Sequence, residues 1–122
     1  MDKLETMFQM QKALDTEIAE KRNLNYTREE WVQKGVLATL SELSEVLDEV
    51  NFKWWKNPKP LDEAKLKEEL VDVTHFLLSM CIHSGMDAQE LFDIYLEKNR
   101  ENVNRQHGTS QKKGYEVDKL GH

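Results

Sequence analysis

The chain has 122 residues and a formal net charge of −6, with 33% charged and 39% hydrophobic residues. This length supports one domain with a single core, and the negative charge argues against a nucleic-acid polymer as a partner, because such binding depends on dense positive charge. The five glycines and two prolines are few for a strand-rich fold, so the composition favours an all-α protein.

The apolar residues occur in short groups. No uninterrupted apolar run is long enough to cross a bilayer, and the N-terminal segment MDKLETMFQMQK lacks the apolar core of a signal peptide. The sequence therefore predicts a cytoplasmic protein with no membrane partner. Its one cysteine, Cys81, lies in the apolar run FLLSMCI and is predicted to be a buried structural thiol.

Apolar spacing predicts the first helix over about residues 2–22. The stripe recurs at helical intervals and consists of Leu4, Met7, Phe8, Leu14 and Ile18. The polar segment NLNY ends this helix. Thr27 followed by Glu30 forms a capping box, so a second helix is predicted over about residues 27–50.

The connector NFKWWKNPKP at residues 51–60 contains both prolines. A third helix is predicted over about residues 62–85, since the glycine at its end is typical of a helix terminus. Asp87 with Glu90 repeats the capping-box pattern and predicts a fourth helix over about residues 87–106.

Four amphipathic helices predict a four-helix bundle-like domain over residues 1–106. Short bundles of this kind often complete their cores by pairing, so the sequence predicts an oligomer, with a homodimer as the first expectation and a tetramer as the alternative. Residues 107–122 are polar and contain glycines, which predicts a mobile C-terminal tail.

Two helices carry carboxylates beside their apolar faces. Successive helical residues turn by about 100°, so Glu42, Glu45 and Glu49 lie on one ridge at the margin of the second helix's apolar face. On the third helix, Glu69 and Asp72 are three residues apart and therefore neighbours, and Glu69 points into the apolar face. An acidic side chain in such a place is costly unless it is paired or binds a metal.

A single Glu-x-x-Glu pair is common on solvated helices, so one pair alone is no more than a surface feature. Two pairs on successive helices indicate a metal site, because no Lys or Arg on the third helix's core face neutralises them. Oxygen ligands suit Mg²⁺ or Mn²⁺ better than zinc. A di-iron bundle is the rival, but it normally needs two Glu-x-x-His motifs, and the chain has one comparable pair, Asp72 with His75.

The spacing of these acids, Glu-x-x-Glu at 42 and 45 and then Glu-x-x-Asp at 69 and 72, resembles the signature of the all-α nucleoside triphosphate pyrophosphatases. That superfamily includes the MazG-like enzymes and the dimeric dUTPases. Four further stretches are similar to the dimeric dUTPase branch: QKALD at 11–15, FKWWK at 52–56, ELVDVTHFLLS at 69–79, and KNRENVNRQ at 98–106 followed by GY at 114–115. Together they cover most of the chain in the expected order.

The resemblance implies Mg²⁺-dependent hydrolysis of dUTP to dUMP and pyrophosphate. It places the metal on Glu42, Glu45, Glu69 and Asp72, with Glu49 as a candidate fifth ligand. It makes Glu42, or alternatively Glu45, the residue that orients or deprotonates the attacking water.

One departure bears on the base. The better-known dimeric dUTPases carry asparagine where this chain has Asp15. A carboxylate accepts a hydrogen bond equally from uracil N3–H and from the amino group of cytosine. A house-cleaning pyrophosphatase acting on dCTP or modified nucleotides is therefore the alternative. A non-catalytic helical protein that pairs through its amphipathic faces is the rival from another class.

Residues near the chain's C-terminus are predicted to contact the phosphates. Lys98, Asn102 and Arg105 are spaced i, i+4, i+7 on one helix face and would bind the leaving pyrophosphate. A solvated basic helix end, which favours the helix dipole, is the alternative. Tyr115 on the tail is predicted to close over a partner's site.

A second group of residues is predicted to contact the base and sugar: Gln11, Asp15, Trp54, Trp55, His75 and Phe76. Aromatic faces stack on nucleobases, so the two tryptophans would form a wall, with core or interface packing as the alternative for one of them. The histidine and phenylalanine follow Asp72 by about one helical turn and would border the sugar, with a structural hydrogen bond as the alternative for the histidine. The glutamine amide offers a donor and an acceptor to the base edge.

Overall fold

The computed structural model describes residues 1–117, which fold into four helices. They are α1 Lys3–Lys21, α2 Arg28–Glu49, α3 Glu63–His83 and α4 Ala88–Gln106. Residues 1–117 contain no strand, so the predicted all-α class is confirmed. None of the helices in this part of the chain is long and apolar enough to cross a membrane.

The first three helices begin at capping side chains. The Asp2 carboxylate accepts a hydrogen bond at 2.8 Å from a backbone N–H in the first turn of α1, and Asp62 does the same at 3.1 Å for α3. The α2 capping box is closed in both directions, because Thr27 accepts from the Glu30 backbone at 3.1 Å and Glu30 accepts from the Thr27 backbone at 3.2 Å. These bonds satisfy N–H groups that a helix start leaves unpaired. Each helix starts one residue after its cap, and the cap predicted at Thr27 is confirmed.

A residue with positive φ follows each of the first three helices. Asn23 and Asn51 both have φ near +53°, and Gly85 has φ near +87°. Glycine and asparagine adopt this left-handed conformation at the lowest cost. The predicted helix-ending glycine is therefore present, and two asparagines end the other helices.

Residues 1–87 form one compact unit in which α3 packs against both α1 and α2. The α2–α3 contact is close at Gly35, where a Cβ atom would overlap the side chain of Met80. A glycine at this position lets the two helices that carry the carboxylate pairs approach each other.

The core of this unit is small. Its buried apolar side chains are Phe8, Val73 and Leu78. Cys81, predicted to be buried, is half-buried, and this partial burial raises the pKa of its thiol. An apolar stripe on α2, in contrast, is at least 41% exposed at every position and consists of Val36, Leu37, Leu40, Leu43 and Leu47. Exposed apolar residues at helical spacing are typical of a face that packs against another protein surface.

The second compact unit begins at Ala88 and consists of α4 and the segment after it. That segment folds back on the end of α4, because the Ser110 hydroxyl donates a hydrogen bond to Glu101 and the Arg105 guanidinium lies 5.2 Å from the centre of the Tyr115 ring. Residues 118–122 of the predicted tail lie outside the described residues. The tail's mobility and its closure over a site stay predictions.

Candidate metal centre and base site

Three of the four predicted metal ligands converge between α2 and α3. Glu42, Glu69 and Asp72 each offer one carboxylate oxygen, and these oxygens lie within 4.8 Å of one another. Glu42 and Glu69 are half-buried, whereas Asp72 is exposed. The cluster is therefore anchored in the helix interface and open to solvent on one side, as a site for a phosphate-bound ion requires.

The fourth predicted ligand, Glu45, lies beside this cluster. Its charge acts on Glu69, whose pKa it helps to raise, and its exposed side chain lines the neighbouring cavity of about 430 Å³ under the α2–α3 connector. The structure thus brings three carboxylates into one group and leaves the fourth next to it.

The electrostatics of the cluster fit a divalent cation. Partial burial raises the pKa of Glu69, and the negative charges of Glu45, Asp72 and Glu42 raise it further. Carboxylates that repel one another at short range favour a bound cation, which reverses the repulsion. All the donor atoms are oxygens, the ligand type that Mg²⁺ and Mn²⁺ prefer.

Glu49, the candidate fifth ligand on the same ridge of α2, pairs with lysines and is not part of the carboxylate cluster. Its side chain is 3% exposed, and its Oε1 lies 3.4 Å from Lys65 Nζ and 3.6 Å from Lys59 Nζ. The Glu49 charge is the main cause that raises the pKa of Lys65, with smaller contributions from Glu69 and Glu45. Glu49, Lys59 and Lys65 thus form an ion triad, and Lys65 also interacts electrostatically with the neighbouring carboxylates Glu69 and Glu45.

The triad holds the connector that carries the two tryptophans. Asn51 closes the same loop, because its amide accepts from the Lys59 backbone N–H at 2.9 Å and donates to the Lys59 carbonyl at 2.8 Å. Trp54 and Trp55 are 86% and 61% exposed, and their rings pack edge to face with centroids 4.7 Å apart. The aromatic pair thus stands at the surface of this unit.

We expect Glu49→Gln to destabilise the fold by about 1–3 kcal/mol, since a buried hydrogen-bonded charge is lost while both lysines keep theirs. Thermal unfolding should show a lower Tm, and amide hydrogen exchange should become faster in residues 51–60. Glu17→Gln is the matched control, because Glu17 pairs with Lys21 in a solvent-exposed contact of 3.1 Å. If both variants melt alike, Glu49 does not anchor the connector.

A polar network joins α1 to α3 and contains three of the predicted base and sugar contacts. Gln11 is 5% exposed, and its Nε2 donates to Asp15 Oδ1 at 2.9 Å. Its Oε1 lies 2.5 Å from His75 Nδ1. The Ser79 hydroxyl donates to Asp15 Oδ2 at 2.7 Å. Both oxygens of the Asp15 carboxylate therefore accept hydrogen bonds, one from each helix.

These contacts determine the tautomer of His75. Because a carboxylate accepts only, the amide nitrogen of Gln11 faces Asp15 and its oxygen faces the histidine. The His75 Nδ1 atom therefore carries a proton, and its Nε2 stays available on an exposed ring. The structural hydrogen bond considered for His75 is thus present, and Phe76 beside it is half-buried.

Ser79 is a member of this network that the sequence reasoning missed. It follows Asp72 by seven residues, so it shares a face of α3 with the predicted ligand. The signal that would have found it is the series of polar side chains Asp72, His75 and Ser79, spaced i, i+3, i+7 in the largely apolar second half of α3.

The predicted phosphate contacts on α4 are described within their own unit. Lys98 and Asn102 are exposed. Arg105 is half-buried and donates from Nε to Glu101 at 3.1 Å, while the hydrogen bond from Ser110 is the main cause that lowers the pKa of Glu101. Lys98 and Asn102 are thus accessible to solvent, whereas Arg105 contacts Glu101 and the Tyr115 ring.

Comparison with known proteins adds to this geometry. A family model described as dUTPase matches residues 3–87. A dCTP pyrophosphatase of Enterobacteria phage T4 is 29% identical, over 86% of this chain and 81% of that protein. A DNA replication protein of the same phage is 28% identical, over 84% of this chain but 35% of that protein. A dCTP pyrophosphatase of Enterobacteria phage LZ5 is 40% identical, over 48% of this chain and 34% of that protein. No solved structure matches.

The family match covers well over half of the chain. It includes both carboxylate pairs, the connector and the α1–α3 network, and the all-α architecture is the one that the resemblance implied. The chain therefore belongs to the dUTPase family, and it is an all-α nucleoside triphosphate pyrophosphohydrolase.

Proposed function

We propose that the chain is a Mg²⁺-dependent pyrophosphohydrolase of deoxypyrimidine nucleoside triphosphates, with dCTP as the preferred substrate and dUTP as the second candidate. The observation that carries the reaction is the convergence of the Glu42, Glu69 and Asp72 carboxylates within 4.8 Å. The products would be the nucleoside monophosphate and pyrophosphate.

The carboxylates have two tasks in this proposal. Glu42, Glu69 and Asp72 would hold Mg²⁺ or Mn²⁺, with Glu45 turning in from beside the cluster as a fourth ligand. When bound, the ion would neutralise charge on the triphosphate and lower the pKa of a water molecule. Glu42, or Glu45 in its place, would orient that water and accept its proton.

Asp15 supports cytosine as the base. Acidic side chains pair with the N4 amino group of cytosine, a donor that uracil replaces with the O4 acceptor. A uracil bound in the same position as the cytosine would place its O4 against a carboxylate that only accepts, and it would have to shift along the site to donate from its N3–H instead. The matched phage T4 protein is a dCTP pyrophosphatase, which favours the same base, whereas the family's dUTPase description supports dUTP.

The remaining predicted contacts complete the nucleotide site in this proposal. The exposed faces of Trp54 and Trp55 would stack on the base or sugar. Lys98 and Asn102 would bind the leaving pyrophosphate, and Arg105 with Tyr115 would close over it. Gln11, His75 and Phe76 would line the space between base and metal, where the contact between Gln11 and His75 joins α1 to α3.

A second copy of the chain is the proposed partner. The exposed stripe on α2 defined above has the length and helical spacing of a packing face, and residues 1–87 bury few apolar side chains by themselves. A homodimer formed through this face would supply the missing core, and two such dimers would make the tetramer.

The test of the function is pyrophosphate release from dCTP, dUTP, dTTP, dATP, dGTP and UTP, with Mg²⁺ and with a chelator. We expect release from dCTP to be fastest, slower release from dUTP, and loss of both with chelator. A preference for dUTP would support the pyrophosphohydrolase reaction but contradict the proposed preference for cytosine over uracil. No release from any nucleotide, and no effect of Mg²⁺ on the melting temperature, would favour a non-catalytic helical protein.

A further inference from the structure

The Ser79 hydroxyl links α3 to the Asp15 carboxylate on α1, the side chain proposed above to contact the base. We propose that Ser79 is a positioning residue, which fixes the Asp15 carboxylate so that it accepts the amino group of cytosine and rejects the carbonyl of uracil. This inference rests on the function proposed above, and it adds Ser79 on α3 to the residues that select the base.

The direction of the Ser79 hydrogen bond follows from its neighbours. The nearest competing acceptor would be His83 Nδ1, which lies 3.4 Å from the Ser79 hydroxyl oxygen. That nitrogen is also 2.9 Å from the Ser79 carbonyl oxygen, which only accepts, so His83 Nδ1 carries a proton and donates it there. The serine proton is therefore left for Asp15 Oδ2, at 2.7 Å.

The histidine itself is held in place. Its ring stacks on Trp31 with centroids 4.7 Å apart and an interplanar angle of 15°. A fixed His83 keeps its Nδ1–H directed at the Ser79 carbonyl and keeps the serine hydroxyl available to Asp15. The stacking of His83 on Trp31 therefore helps to stabilise the hydrogen bond between Ser79 and Asp15.

Two donors on two helices fix the plane of the Asp15 carboxylate. Gln11 on α1 holds Oδ1, and Ser79 on α3 holds Oδ2. A carboxylate held by one donor would rotate and relieve the repulsion from uracil O4, whereas one held by both would keep it. Rejection of the wrong base needs such a fixed repulsive contact, so the second donor would set the discrimination.

The expected effect of Ser79→Ala is a change in selectivity. We expect the ratio of kcat/KM for dCTP to that for dUTP to fall roughly tenfold, the size expected for one hydrogen bond to a charged group. The change should come mainly from a lower KM for dUTP, because a carboxylate that is free to rotate no longer repels uracil O4, while the metal cluster is untouched. Ser79→Thr keeps the hydroxyl and should restore the ratio.

Ser84→Ala is the matched control. The Ser84 hydroxyl is on the same polypeptide stretch but donates to the Met80 carbonyl at 2.7 Å, so its loss should leave the ratio unchanged. Helicity and Tm show whether each variant is folded. If Ser79→Ala does not fold, the same ratio of kcat/KM values is measured for Ser79→Cys, whose side chain has nearly the same size but is a weak donor. A lower ratio in that variant supports the inference, and an unchanged ratio contradicts it.

The outcomes separate this inference from the function on which it rests. A folded Ser79→Ala that keeps the wild-type ratio, or that loses both activities equally, overturns the inference and leaves the function standing. A wild-type enzyme that prefers dUTP overturns the inference but still supports the pyrophosphohydrolase activity. A wild-type protein that releases pyrophosphate from no nucleotide removes the function and the inference together. A lower ratio that threonine restores supports both.

Discussion

Glu69→Gln is expected to abolish pyrophosphate release while the four helices stay folded. Glutamine has the shape of glutamate and suits a helix, but it removes one charged oxygen from the group formed with Glu42 and Asp72. Loss of even an outer partner of a metal ligand costs about 10–100-fold, so loss of a direct ligand should cost more. The measurements are pyrophosphate release at saturating Mg²⁺ and the circular dichroism spectrum.

Glu68→Gln is the matched control for this prediction. Glu68 is the neighbouring residue of α3, and it is exposed and outside the cluster. Its neutralisation should leave turnover unchanged, and Mg²⁺ should still raise the Tm because an ion that binds only the folded state stabilises it. In Glu69→Gln that rise should be much smaller. Full activity of Glu69→Gln would contradict the assignment of the metal site to the carboxylate cluster between α2 and α3.

The same variant should change how stability depends on pH. The pKa of Glu69 is raised in the folded protein, chiefly by partial burial and then by Glu45 and Asp72, so the folded state takes up a proton before the unfolded chain does. The metal-free protein should therefore gain stability as pH falls through this raised pKa, and the gain should stop below the ordinary glutamate pKa of about 4.3. Glu69→Gln should lack this gain.

The helices were predictable from the sequence because their determinants are local. A cap such as Asp2, Thr27 or Asp62 acts on a backbone N–H three residues away, and apolar periodicity acts within one helix. The carboxylate pairs are also local features, since i, i+3 spacing places two side chains on one helix face. Spacing therefore sufficed to identify the helices that carry the cluster.

The partners of individual side chains were not predictable in the same way. Glu49 and Glu42 occupy the same ridge in the sequence, yet Glu49 pairs with Lys59 and Lys65, and Glu42 joins the metal cluster. The difference depends on where the connector brings its lysines, which is a property of tertiary packing. The contact of Ser79 with α1, across 64 residues, is non-local for the same reason.

Asp15→Asn is expected to reverse the base preference from dCTP to dUTP. The amide oxygen of the new side chain would accept the hydrogen bond from Gln11 that Asp15 Oδ1 accepts at 2.9 Å. Its nitrogen would then lie on the side of Ser79 and the base, with two N–H donors where the carboxylate has only an acceptor. A donor there matches uracil O4 and opposes the amino group of cytosine.

The size of this reversal should exceed the effect of Ser79→Ala, because asparagine replaces an attraction for one base with an attraction for the other. We expect the dCTP to dUTP ratio of kcat/KM to fall on the order of a hundredfold, measured by pyrophosphate release at equal Mg²⁺. Glu17→Gln removes one negative charge from an exposed position of the same helix and should leave the ratio unchanged. An Asp15→Asn enzyme that still prefers dCTP would mean that another residue reads the base.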